Sequence, residues 1–413
     1  MNGKPGHGTN ASVHLDAIRG AAALTVFLSH GRPLFLRSGL SSTLKTGTHT
    51  TEAPQETSAS DAHRTTVGHE AVIVFFILSG YFVGGSVIRS MRNGSYAWKP
   101  YLFQRLTRLW VVLIPALLLG LAVDLAGMHF FGGPSSIYSM PSQIAPGLIS
   151  RLSFSSLLGN IFFLQDTFFK NYGTNVALWS LACEFWYYVF FPLLLSVLLP
   201  GRSSMRRIIN AVLLFAVMLF CGRHVVQYFP LWLFGCAVAV LPLRIPASMQ
   251  RLVTGSLTVL LLATFALCLR GHLNLYVADL WICIVFSALL WAILHNKKVQ
   301  INSLYRHGAQ SLASMSYTLY SVHYPHLSVA CALLMPVWSP RALSGHVLVQ
   351  MLLVYLAIFI VSIGVYLLFE RNTDKIRNKL RFSLELAAKN VVREADSGGT
   401  DSGYDGQSRR SAR

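Results

Sequence analysis

The chain has 413 residues, of which 53% are hydrophobic and only 12% are charged. Soluble domains average about 25% charged residues, so this composition excludes ordinary soluble domains and indicates a protein that crosses a membrane several times. The net charge of +18 does not indicate a nucleic-acid partner, because the Lys and Arg residues concentrate in short connectors and the C-terminal tail, as in cytoplasmic loops.

Ten apolar runs are long enough to cross a membrane, at roughly 20 residues each. They lie near residues 14–35, 70–89, 109–131, 177–199, 207–222, 226–242, 252–270, 273–294, 312–335 and 346–369. The fifth and sixth runs are short and are also compatible with a kinked hairpin. Placing the N-terminus in the cytoplasm puts most Lys and Arg residues in cytoplasmic segments. We therefore predict an all-α polytopic membrane protein with about ten transmembrane helices and both termini in the cytoplasm.

The apolar runs predict one transmembrane domain over residues 14–370 with a tail on each side. Residues 1–13 form a polar cytoplasmic tail without a clear signal-peptide cleavage site. Residues 371–413 begin with basic residues that suit anionic membrane lipid, then become rich in Gly, Ser and Asp, which predicts a disordered cytoplasmic tail. The outer loop 37–68 is rich in Ser, Thr and Gly, and we expect it to be mobile.

The first apolar run carries two ionisable residues in a predicted membrane helix, Arg19 and His30. Such residues are costly in a bilayer and by default mark a functional site. Their spacing of eleven places them on nearly one helix face, and at ~1.5 Å per residue separates them by roughly 16 Å. A lone buried histidine is often only a packing residue, but with Arg19 on its face we interpret His30 as a functional imidazole.

The second run and the basic connector that follows it also carry polar side chains. Ser79 and Tyr81 lie near the middle of the run. A serine nucleophile is one interpretation, yet no GxSxG elbow is present, and small residues at this depth favour close helix packing. Arg105 and Arg108 face the same way at a helix start and suit phosphate groups. The usual excess of positive charge in cytoplasmic loops would explain them equally well.

The fourth and ninth runs add ionisable groups at comparable depth. Glu184 is a buried carboxylate that needs a partner or a proton. A carboxylate that orients an imidazole is a familiar acid–base unit, so we pair Glu184 with His30; a buried ion pair that only locks the helices is the alternative. Tyr317 and His323 lie in the ninth run. The first, fourth and ninth runs together predict one shared interior site. No zinc site is predicted around His326, because further ligands at helical spacing are lacking.

Four segments resemble the membrane-bound acyltransferase family 3, in the order expected for that family. They are LDAIRGAAALTVFLSH, VIVFFILSGYF, LWSLACEFWYYVFFPLLL and SYTLYSVHYP. The segment FQRLTRLWVVLIP resembles the family's basic entry to the third helix, but Gln104 and Val111 stand where a further Arg and a Pro are common.

The resemblance implies an integral membrane acyltransferase of the plasma (inner) membrane. Its donor substrate would be cytoplasmic acyl-coenzyme A, most simply acetyl-coenzyme A, with no permanently bound cofactor. Its acceptor would be a hydroxyl of a cell-surface glycan or lipid-linked sugar. His30, oriented by Glu184, would deprotonate this hydroxyl or carry the acyl group, and Tyr317 or His323 would stabilise the developing oxyanion. The residues assigned to donor binding are Arg19, Arg105, Arg108, Ser79 and Tyr81.

A proton-coupled transporter that uses His30 and Glu184 as a relay is the alternative function. Inverted repeats and paired broken helices would mark such a transporter, and we find no internal repeat. The sequence leaves open the acceptor, the acyl chain length, the choice between direct transfer and an acyl-histidine intermediate, and the oligomeric state.

Overall fold

The computed structural model describes residues 10–37, 67–139, 147–201, 203–241, 245–246, 248–269, 275–295 and 301–398. Residues 1–9 of the predicted N-terminal tail, residues 38–66 of the predicted mobile loop and the end of the C-terminal tail lie outside the described residues. The α-helices are α1 Asn10–Phe35, α2 Val67–Ser79, α3 Gly85–Arg92, α4 Trp98–Phe131, α5 Leu148–Arg151, α6 Phe154–Ile161, α7 Trp179–Leu198, α8 Ser204–Val240, α9 Gln250–Leu269, α10 Leu275–His295, α11 Ser303–Ser314, α12 Ser316–Leu334, α13 Gly345–Leu368 and α14 Thr373–Gly398.

Eight helices in the described ranges are long and apolar enough to cross a membrane, which confirms the all-α polytopic class. Helix α12 is not among the eight, because Ser, Thr, Tyr and His side chains lower its mean hydropathy, yet most of its residues are buried. It packs against α1, α4 and α13, and α1 also packs against α2 and α11. This helix, which is rich in polar side chains, therefore lies inside the bundle, where other helices rather than lipid surround it. The cytoplasmic location of the termini remains a prediction.

Helix α8 is interrupted at Gly222, whose φ of +74° and ψ of 177° are not helical. The arm before Gly222 runs antiparallel to α7: the Nε of Arg207 donates to the carbonyl of Val197 over 2.8 Å, and the ring of Phe220 lies 5.7 Å from that of Trp186. A positive φ suits glycine, because it has no β-carbon to clash with the backbone.

The arm after Gly222 runs parallel to α7. Tyr187 donates to the carbonyl of Val225 over 2.9 Å, and the ring of Trp232 lies 5.1 Å from that of Phe191. The chain therefore reverses at Gly222, and the two arms correspond to the fifth and sixth predicted runs. Together with α12, they account for the ten predicted runs.

A π-helical turn over Gly80–Gly84 follows α2 directly and packs against the second arm of α8. A β-carbon on Gly80 would collide with the carbonyl oxygen of Trp232, and one on Gly235 would collide with the carbonyl oxygen of Ile77. The close helix packing predicted around Ser79 and Tyr81 is confirmed, and it depends on Gly80 and Gly235, which face each other. A π-helical turn also widens the helix and rotates the side chains that flank it.

The predicted disorder of the C-terminal tail is wrong for residues 373–398, which form α14. Helix-compatible charge pairs support it: Arg377 contacts Asp374 at 2.7 Å and Arg381 contacts Glu385 at 2.9 Å. These i,i+3 and i,i+4 pairs stabilise a helix, and neither Gly nor Pro interrupts the segment before Gly398.

We predict that Gly80→Ala lowers the midpoint of thermal unfolding in detergent, because the added methyl meets backbone that cannot yield as a side chain would. Overpacking of this kind costs about 1–3 kcal/mol. Gly364→Ala in α13 is the matched control, since no atom outside the local helical backbone lies within 4 Å of the added carbon. Equal melting midpoints for the two variants would contradict the close approach described here.

Candidate active site

Two cavities lie on either side of Tyr320 in α12. The first, of about 350 Å³, is lined by residues of α1, α2, α4, α7 and α12 and contains three arginines; we call it the arginine cavity. The second, of about 770 Å³, is lined by His30 together with residues of α2, α7, α8, α10 and the loop before α7; we call it the histidine cavity. Among the described residues, Tyr320 lines both.

Arg19, Arg105 and Arg108 all line the arginine cavity, so the structure brings together the three guanidinium groups singled out in the sequence. Arg19 Nη2 donates to the carbonyl of Ala313 over 2.9 Å, and Asp16 lies 3.8 Å away. The Nε atoms of Arg19 and Arg105 are buried without a hydrogen-bond partner among the described residues. Buried donors of this kind are costly when they stay unpaired.

Aromatic rings fix the orientation of Arg105. Its guanidinium lies 5.6 Å from the ring centroid of Tyr101 and 5.8 Å from that of Tyr188, within the range of a cation–π contact. Arg108 follows one helical turn later and lines the same cavity. The shared face predicted for the two arginines is therefore present.

Glu184 also lies in the arginine cavity, where one of its oxygens accepts hydrogen bonds from Ser79 at 3.0 Å and from the hydroxyl of Tyr188. The predicted pairing of Glu184 with His30 is not the arrangement in the structure, because the two residues line different cavities. Sequence spacing placed both at similar depth, but depth alone does not determine on which side of α12 a side chain lies.

Two residues assigned from the sequence lie elsewhere than expected. Tyr81 belongs to the π-helical turn and packs its ring 5.2 Å from that of Phe82; it is not among the residues that line the arginine cavity. Tyr317 does line this cavity, and its hydroxyl donates to the carbonyl of Leu109 over 3.0 Å. Its predicted role as an oxyanion donor beside His30 is therefore not the arrangement seen.

Glu370 is a residue of the arginine cavity that the sequence analysis missed. It follows α13 and accepts hydrogen bonds from the amide and the hydroxyl of Thr318, at 3.0 and 2.5 Å. The sequence does contain a signal for it, because Glu370 is a single acidic residue between the last apolar run and a strongly basic tail. Glu370 contributes negative charge near Arg19 and Arg108 and connects the end of α13 to the start of α12.

The imidazoles of His30 and His323 form a hydrogen-bonded pair. Nδ1 of His30 lies 2.8 Å from Nε2 of His323, and the ring planes differ by only 6°. Nδ1 of His323 lies 3.0 Å from the carbonyl oxygen of Leu319. A carbonyl only accepts, so Nδ1 of a neutral His323 carries its proton and Nε2 accepts from His30. Nε2 of a neutral His30 therefore carries the lone pair.

His323 thus occupies the position that the sequence analysis gave to Glu184. Its side chain is fully buried, whereas His30 is partly exposed and lines the histidine cavity. Because Nε2 of His323 accepts a hydrogen bond, it does not offer a proton to an oxyanion, and the predicted stabilising role is replaced by orientation of His30. A hydrogen bond to one imidazole nitrogen determines which tautomer the other presents.

The histidine cavity is also lined by His69, whose pairing with the carboxylate of Asp279 the sequence analysis missed. Nε2 of His69 lies 2.9 and 3.1 Å from the two carboxylate oxygens of Asp279, and the ring of Trp179 stacks on His69 with 13° between planes. Nδ1 of His224, which also lines the cavity, is buried without a hydrogen-bond partner among the described residues. The rule that flagged Glu184, a carboxylate within an apolar run, would also have found Asp279.

A comparison with protein families matches residues 13–371 to the acyltransferase domain family Acyl_transf_3. The match extends from α1 to the turn after α13 and so includes every residue that lines either cavity apart from Ser12. Neither the curated proteins nor the solved structures yielded a match.

We predict that the nitrogen spectrum of ¹⁵N-histidine-labelled protein at neutral pH shows His30 as the Nδ1–H tautomer. His30→Ala identifies the resonances by their loss. In His323→Leu the acceptor is gone and the tautomer preference of His30 should relax towards a mixture, while the matched variant His129→Leu, at the exposed end of α4, leaves it unchanged. A dominant Nε2–H tautomer in the wild type would contradict the assignment.

Proposed function

The chain belongs to the acyltransferase domain family and is a membrane acyltransferase; we propose that it moves an acetyl group from acetyl-coenzyme A to a hydroxyl of a surface glycan or lipid-linked sugar. One observation carries this proposal: a cavity lined by three arginines and a cavity lined by His30 meet at Tyr320. In this proposal the two halves of an acyl transfer, donor binding and hydroxyl activation, belong to separate cavities.

The arginine cavity suits the phosphate groups of coenzyme A. Guanidinium groups bind phosphate through paired, charge-assisted hydrogen bonds, and two of the arginines have buried Nε atoms without partners in the described part of the chain. Asp16, Glu184 and Glu370 offset part of the positive charge, which limits the cost of holding three cations together before the donor arrives. We expect the predicted cytoplasmic N-terminus to place this cavity on the cytoplasmic side.

His30 supplies the base for acceptor activation. Its Nε2 lone pair takes the proton of the acceptor hydroxyl while the oxygen attacks the thioester carbonyl. The carbon–sulfur bond breaks, the imidazolium returns the proton to the departing sulfur, and the products are an ester and the free thiol. If Nε2 instead attacks the carbonyl first, the same atom carries the acyl group and the hydroxyl attacks second. In both routes His323 holds the ring in the required tautomer.

The histidine cavity has a lining that suits a sugar. Its volume of about 770 Å³ falls within the usual range for small-molecule sites, about 300–1,000 Å³. Flat aromatic rings provide packing surfaces for the carbon–hydrogen face of a sugar ring, and polar groups provide partners for its hydroxyls. These residues are Trp179, Tyr228 and Tyr276 as aromatic rings, and His69, Asp166, Lys170 and His224 as polar groups.

The transporter alternative required a relay between His30 and Glu184. These residues line separate cavities, and His30 pairs with His323 instead. No other feature of the described structure favours transport over acyl transfer.

We predict that the purified protein slowly releases free thiol from acetyl-coenzyme A in detergent. His30→Ala should retain coenzyme A binding and lose about 10²-fold or more of this turnover, because it lacks the acid–base group. Arg19→Ala should weaken coenzyme A binding by about tenfold or more, as expected for a lost hydrogen bond to a charged group.

His129→Ala and Arg381→Ala are matched controls, since both side chains lie on exposed parts of the chain outside the cavities. Calorimetric titration with coenzyme A and a colorimetric thiol assay provide the two measurements. A wild-type protein that neither binds coenzyme A nor cleaves the thioester would overturn the proposed donor.

A further inference from the structure

Tyr320 lies between the arginine cavity, where the proposed donor would bind, and His30, the proposed base. On α12 it stands three residues after Tyr317, which lines the arginine cavity, and three before His323, which orients His30. These spacings place the three side chains along one side of the helix. Tyr320 is only 7% exposed, yet it contributes to the wall of both cavities.

Two hydrogen bonds hold the hydroxyl of Tyr320 against the start of α7. Its oxygen lies 2.6 Å from the carbonyl oxygen of Ala177 and 2.6 Å from Oγ of Ser180. A carbonyl only accepts, so the hydroxyl of Tyr320 donates to the carbonyl of Ala177 and accepts a hydrogen bond from the hydroxyl of Ser180. Both hydrogen-bonding roles of the hydroxyl are thus used within the wall, and Ser180 itself lines the arginine cavity.

Aromatic edges hold the ring in place. The ring centroid of Tyr320 lies 6.1 Å from that of Phe75 and 6.0 Å from that of His323, both in edge-on arrangements. Phe75 lines the arginine cavity, whereas His323 belongs to the histidine pair. The ring therefore fills the space between the two cavities and is in contact with a group on each side.

We propose that Tyr320 is a gate that controls passage of the donor's acyl group from the arginine cavity to His30. The inference rests on the proposed function, since it requires the thioester to start in one cavity and react in the other. With the hydroxyl held by Ala177 and Ser180, the passage is closed. Release of these two bonds lets the ring swing aside, and their return separates the cavities again, which restricts both futile thioester hydrolysis and leakage across the membrane.

The first test measures thiol release from acetyl-coenzyme A without acceptor. Tyr320→Phe keeps the ring but removes both hydrogen bonds of the hydroxyl, so the gate opens more often and hydrolysis should rise about three- to tenfold. The rise should vanish in the double variant His30→Ala/Tyr320→Phe, because water must then attack the thioester without the imidazole as a base. A merely structural tyrosine would not produce a gain of rate.

Tyr355→Phe is the matched control, since its hydroxyl donates to the carbonyl of Leu28 over 3.1 Å at the contact between α13 and α1. It should leave hydrolysis at the wild-type rate. A rate in folded Tyr320→Phe at or below that of the wild type overturns the gate, as does a rise that persists without His30.

The second test does not depend on acyl chemistry. In proteoliposomes with an enclosed pH-sensitive dye, Tyr320→Ala should collapse an imposed proton gradient several-fold faster than Tyr355→Ala, because the wall between two water-accessible cavities is missing. Equal rates overturn the separating role of Tyr320. If the wild type cleaves no thioester while Tyr320→Ala leaks, the proposed donor fails and the separating wall stands, so the two failures are distinguishable.

Discussion

The hydrogen bond between His30 and His323 is the interaction on which the site depends. It joins α1 to α12 within the bundle and determines which tautomer a neutral His30 adopts. Histidine in place of a carboxylate has a physical advantage at this depth. A neutral imidazole orients its partner without the desolvation cost of a buried charge, and the carbonyl of Leu319 is sufficient to hold its tautomer.

Most of the charged side chains of the site lie in the arginine cavity. Arg19, Arg105 and Arg108 meet three carboxylates there, so the two cavities differ in electrostatic character although they share a wall. Two of the carboxylates are themselves hydrogen-bonded, Glu184 by Ser79 and Tyr188 and Glu370 by Thr318. Side chains that are held in this way keep their positions before a ligand arrives, so the proposed donor would need little rearrangement on binding.

Periodicity and membrane cost predicted much of the fold and a part of the site. Apolar runs located the membrane helices, and the spacing of Arg105 and Arg108 placed them on one face, because both signals are local. The pairing of Glu184 with His30 failed for a different reason: depth along a helix can be read from sequence, whereas rotation about its axis relative to a distant helix cannot. His323 and His30 are 293 residues apart, and no local pattern indicates that their rings meet.

The reversal at Gly222 bears on how the chain enters the membrane. A single residue joins the two arms of α8, so no loop is available for one arm to cross the bilayer while the other waits. The arms must insert together as a helical hairpin. The first arm then remains at the lipid boundary, with Phe215 64% exposed, while the second packs into the bundle. Because Cys221 is the only residue of this arm that the described structure buries, the demands on its sequence are mainly apolar character, helix formation and the contacts with α7.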